Sequence, residues 1–146
     1  MANTSAQKRA AEWIRSIFLK EKCGQIFQQG TYKLNTGGIV EFSAISEDRK
    51  IVAYISTSTP LVPNGSVGRG KLSKVRADAL FLSMLKGDVQ RWLIYTDKDM
   101  VKLVTDEIAQ GKLPACIAVL HAVLPKDLQT EVAASRSKAS EELAGK

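Results

Sequence analysis

Cysteine and histidine are scarce in this chain, and the scarcity excludes a good deal. There are two cysteines, Cys23 and Cys116, far apart and in no CxxC pair, and a single histidine, His121. A Cys/His zinc site takes about four such ligands, so none can be assembled from these residue types. The cysteines read as two reduced thiols in apolar segments, which fits a reducing compartment and a cytoplasmic location. Long hydrophobic runs are also missing. No stretch reaches the roughly 18 uninterrupted apolar residues that a membrane-spanning helix needs. The first apolar segment carries Glu12, Arg15, Lys20 and Glu21, which a signal peptide would not. Proline-rich or repetitive stretches do not occur, and no internal repeat or interdomain linker is visible.

What is present suits one ordinary domain over residues 1–146, with 45% hydrophobic and 25% charged residues. A chain of this length can bury roughly 68–70% of its unfolded surface, so it needs no disulfide, metal or cofactor to fold. The formal net charge is +6. Such a balance favours anionic partners at long range without naming one.

The pattern of apolar residues predicts the elements. Thr4 to Lys22 reads as an amphipathic helix with Ala10, Trp13, Ile14, Ile17 and Phe18 on one stripe, and Gly24 stops it. Gln25 to Gly30 reads as a short second turn, and Thr31 to Asn35 as a short strand. Ile39 to Ile45 and Lys50 to Thr57 form a hairpin across the polar turn Ser46 to Arg49, apolar on both faces. Ser58 to Gly70, with two prolines and three glycines, is a loop. There follow a helix over Leu72 to Leu85, a strand over Val89 to Thr96, a helix over Asp97 to Gln110, a strand over Ala115 to Leu124 and a helix over Lys126 to Leu143. The last of these is expected to fray over about 134–146. Trp13, Ile17, Trp92 and Ile94 are expected in the core. The late alternation of strand and helix predicts an α/β fold, a mixed central sheet flanked by helices.

The hairpin segment reads Ile-Val-Glu-Phe-Ser-Ala-Ile-Ser-Glu-Asp-Arg-Lys-Ile-Val-Ala-Tyr-Ile-Ser from Ile39 to Ser56. With a helix before it and a helix and a strand after it, this resembles the centre of the PD-(D/E)xK nuclease superfamily, over about residues 4–96. The resemblance implies a restriction-endonuclease-like fold. In that family an Asp on one strand, and an acid and a Lys two apart on the next, meet at one point. The carboxylates hold a divalent cation against the scissile phosphate, and the Lys orients water and offsets charge. Here Ser43, or else Phe42, stands in place of the Asp, Tyr54 in place of the acid and Ser56 in place of the Lys. Neutral side chains do not replace two carboxylates around a hard cation. The resemblance therefore implies a degenerate member with no catalytic residue and no bound metal. The alternative is a relocated acid pair, Glu12 on the leading helix and Glu41 on the strand.

Gly65-Ser-Val-Gly-Arg-Gly-Lys71 fits seven places of the P-loop pattern, but Leu72 stands where Ser or Thr should bind magnesium, and no strand feeds the loop. What remains is a cluster of cations. Arg69, Lys71, Lys74 and Arg76 fall within eight residues with no acid among them, at a glycine-rich loop that opens a helix. Phosphate is the natural partner, and DNA comes before RNA because no aromatics interleave with the cluster. Three readings follow. The first is a non-cutting domain that binds nucleic acid or another phosphate-rich ligand. The second is an interaction or assembly protein, as homo-oligomer or with a protein partner. The third is a nuclease using relocated acids.

Overall fold

A computed structural model describes residues 5–60 and 68–144, with the backbone alone at Arg69 and over 137–144. The leading helix is α-helical over Ser5–Trp13 (α1), π-helical over Ile14–Phe18 and α-helical again over Leu19–Cys23 (α2). Gly24 ends it at φ 70°, its N–H donating to the Lys20 carbonyl at 2.8 Å. That left-handed cap suits the one residue without a Cβ.

Three strands follow, β1 (Phe27–Lys33), β2 (Ile39–Ser46) and β3 (Ile51–Ser56), as an antiparallel meander. Helix α3 (Arg69–Ser83) then leads to β4 (Gln90–Tyr95), α4 (Lys98–Ala109) to β5 (Ile117–His121), and α5 (Lys126–Ala144) closes the order. β3, β4 and β5 run parallel, and the five strands stand in sequence order in one mixed sheet. No helix among the described residues is long and apolar enough to cross a membrane.

Both faces of the sheet are covered. Phe42, Ile45, Val52, Leu93 and Tyr95 pack against Val75, Ala79 and Leu82 of α3 and Met100 and Val104 of α4. On the other face Ala44, Ala53, Trp92 and Ile94 pack against Ala6, Ala10, Ile14 and Leu19 of the leading helix and Val132 of α5. Strand side chains alternate between faces, so successive β4 residues serve different layers.

Three local expectations change. Gln25 to Gly30 is not a second turn, because the chain from Phe27 onward is extended and paired with β2. Pairing along a whole strand outweighs the polar local composition. The leading helix buries only part of the expected stripe: Ala10 and Ile14 are in the core, but Ile17 is 43% exposed and Trp13 only half-buried, while Trp92 and Ile94 are core residues as anticipated. The π turn is the cause. It holds one more residue than an α turn, so the buried series runs Ala6, Ala10, Ile14 and then, five residues on, Leu19. Finally, Cys116 is exposed rather than apolar-packed, and both cysteines are free.

Candidate functional site

In open α/β sheets ligands bind outside the carboxyl ends of the strands. Here that edge is formed by Ser56 at the end of β3 and Tyr95 at the end of β4. Helix α3 begins beside them. Its N-cap, Gly68, offers no side-chain hydrogen bond to the first turn. Gly70, Lys71, Lys74, Val75 and Asp78 share one side of α3, at helical spacing. With Ser56, Ser58, Tyr95 and Met100 they line a pocket of about 240 Å³.

Its polar groups are closely connected. The Lys74 ammonium donates to Asp78 Oδ1 at 2.5 Å and lies 5.1 Å from the centre of the Tyr54 ring. The Lys71 ammonium donates to Thr59 Oγ1 at 3.3 Å. The Ser58 N–H donates to Ser56 Oγ at 3.1 Å. Burial pushes the Asp78 carboxyl above the usual carboxylate range, against the pull of Lys74. Burial also holds the Lys71 ammonium below its ordinary value, helped by Arg136 and opposed by Asp97. The Tyr54 hydroxyl is pushed up to about 12 by burial, with Asp78 adding to it.

The three described cations of the cluster, Lys71, Lys74 and Arg76, do not converge. Lys71 and Lys74 are three apart and face the pocket together. Arg76 is two further on, a spacing that turns a helical side chain away. It reaches α4 instead, where its Nη2 donates to the buried Glu107 at 3.0 Å, and Lys112 approaches the same carboxylate at 3.7 Å. The Arg69 side chain lies outside the described residues, as do Gly65, Ser66 and Val67 of the P-loop-like stretch.

The hairpin positions also part company. Between Gln28 and Gly30 β1 advances two residues while its partners on β2, Ile45 and Phe42, are three apart. This bulge re-aims the strand. Phe42, not Ser43, lies against Tyr54, at 4.9 Å between ring centres and under α3. Ser43 lines a shallow hollow beneath the leading helix with Glu12, Arg15 and Gln29. Glu12 accepts from Arg15 Nη2 at 3.2 Å, and Glu41 Oε1 accepts from Gln29 Nε2 at 2.5 Å. The two acids of the relocated pair are each engaged by a neighbour. Among the described residues no three acid, His or Cys side chains gather closely enough to hold a metal ion.

A second hollow of about 390 Å³ lies further along the same sheet edge, lined by Asp97, Lys98, His121 and Arg136 among others. His121 Nε2 is 3.1 Å from the Thr96 carbonyl, and Arg136 Nη1 donates to the Thr57 carbonyl at 2.6 Å. Asp78, Tyr95 and Arg136 were not legible as site residues. Only Asp78 left a sequence signal, its place four residues after Lys74.

No protein-family model, no curated protein and no solved structure matches the chain.

Proposed function

We propose that the chain is a catalytically inactive, restriction-endonuclease-like domain that binds nucleic acid, DNA before RNA, by phosphate contacts at the start of α3. The observation that carries this is the pair Lys71 and Lys74, set together in the first two turns of α3 at the carboxyl ends of β3 and β4. Such an end favours anions through its backbone N–H groups and dipole. Lys74 has three N–H donors, so its bond to Asp78 leaves reach for a phosphate oxygen. The element order of helix, three-strand meander, helix and strand supports the resemblance to the nuclease superfamily. Ser43, Tyr54 and Ser56 support the absence of cutting, since they supply no carboxylate and lie on different sides of the sheet.

Two outcomes are expected. The purified chain leaves DNA and RNA intact with magnesium or manganese; cleavage that disappears in Glu41→Gln would instead establish the relocated acids. In fluorescence anisotropy, duplex affinity falls with salt, each phosphate contact adding about 0.9 to the logarithmic slope. Lys71→Ala with Lys74→Ala lowers that slope by about 1.8 and weakens unrelated sequences equally. A double variant with the parent's slope, or no binding at low salt, sinks the reading; self-association in its place would return the scaffold role.

A further inference from the structure

Tyr95 is 2% exposed, and its hydroxyl has no hydrogen-bond partner among the described residues, although Tyr95 lines the pocket beside α3. Buried polar groups in folded proteins are nearly always paired. A buried phenol with no partner among the described residues, on a side chain that lines a pocket, is suited to an acceptor brought in from outside. The other groups around it are of the same kind. Ser56 and Ser58 bring hydroxyls from the end of β3, Lys71 and Lys74 bring ammonium groups, and Gly70 stands in the first turn of α3. Donors thus come from two strands and a helix, around one small space. Among the described lining residues Asp78 is the one acid, and Lys74 holds it.

Size narrows the occupant. Drug-sized ligands occupy about 300–1,000 Å³, and this pocket has about 240 Å³. That size suits a small group such as one tetrahedral oxyanion. An internal phosphodiester carries a sugar on each side, whereas a monoester carries one and can enter a small pocket with its single ester oxygen at the mouth.

From this we infer that the pocket receives one phosphate monoester group, with Tyr95, Ser56, Ser58, Lys71 and the first turn of α3 donating to its oxygens. The inference rests on the nucleic-acid reading above for its macromolecular source, a terminal phosphate on a strand. Free inorganic phosphate is the other source of the same chemistry. Backbone phosphates along a duplex engage Lys71 and Lys74 at the rim; a terminal phosphate goes past them to Tyr95.

The test uses the intact chain with three probes. Inorganic phosphate is titrated by calorimetry, and duplexes ending in phosphate or in hydroxyl are compared by anisotropy at one salt concentration. The expected result is that phosphate-ended duplex binds about tenfold tighter or more, the gain of a hydrogen bond to a charged acceptor, and that inorganic phosphate abolishes the difference. Tyr95→Phe keeps the buried ring and removes only the hydroxyl. It should reduce the preference to near unity and leave the salt slope on hydroxyl-ended duplex unchanged. Ser56→Ala should lower the preference in the same way, which keeps the test open if the Tyr95 variant melts early. Equal affinity for the two ends, or a preference that survives both variants, overturns the pocket while leaving phosphate-backbone binding in place. Heat with inorganic phosphate that Tyr95→Phe removes, together with no duplex binding at low salt, upholds the pocket, assigns it to free phosphate and sinks the nucleic-acid reading.

Discussion

Trp92→Ala is expected to destabilise the fold by about 3–5 kcal/mol, the range for removing a large buried aromatic. Trp92 lies on the face of the sheet toward the leading helix and α5, and is 8% exposed. Many of its companions there are small: Ala6, Ala10, Ala44, Ala53 and Ala122. Small rigid neighbours cannot swing into the space that an indole vacates, so most of the cavity persists. Urea unfolding followed by circular dichroism reads the shift in midpoint. Trp13→Ala, at a half-buried site, should cost visibly less. Equal midpoints for parent and Trp92→Ala would show that this layer carries little of the stability.

The neighbouring residue holds the opposite layer by different means. Arg91 donates to four carbonyls: Nε to Leu82 at 2.8 Å, Nη1 to Val89 at 2.7 Å, and Nη2 to Leu85 at 3.0 Å and Gly87 at 3.2 Å. Leu82 stands in the last turn of α3 and Leu85 just beyond it, where backbone acceptors are in excess and a cation is favoured. Arg91→Leu keeps an apolar stem and removes the fork. The expected loss is about 2–3 kcal/mol, that of charge-assisted bonds partly replaced by water. Arg91→Lys should recover little, because an ammonium point charge cannot span four acceptors as a planar guanidinium does. A Lys variant with the parent's midpoint would show that charge alone suffices there.

Much of this architecture can be read from the chain. Alternation of strand and helix after Gly70 predicts the mixed sheet, and Asp97 occupies the N-cap of α4, accepting from the Met100 N–H at 3.0 Å. Local pattern fails where a partner distant in sequence decides. Phe27 to Gly30 is a strand only because β2 lies beside it. Arg76 belongs to a run of cations in sequence, yet its carboxylate is Glu107, 31 residues away. The candidate site was half legible. Lys71 and Lys74 could be read from charge and helical spacing. Tyr95 could not, since an aromatic on an apolar strand reads as core, and core is where its ring lies. Its significance comes from a hydroxyl without a partner among the described residues, which no pattern of residues discloses. Of the two residues that stand for the family's Asp, Phe42 and not Ser43 lies against Tyr54, because the bulge in β2 breaks the regular alternation along that strand.

The π turn at Ile14–Phe18 has a consequence in genetic terms. It is one codon's worth of surplus chain, absorbed on the spot, so that neither flank is displaced. Losing a single codon among positions 15–18 straightens the helix and leaves Ala6 and Ala10 before it, and Leu19 after it, still turned to the sheet. Losing one from α1 or α2 has no surplus to draw on and swings the residues beyond it by about 100°. A single-codon deletion is therefore absorbed within a window of a few codons and is damaging on either side of it.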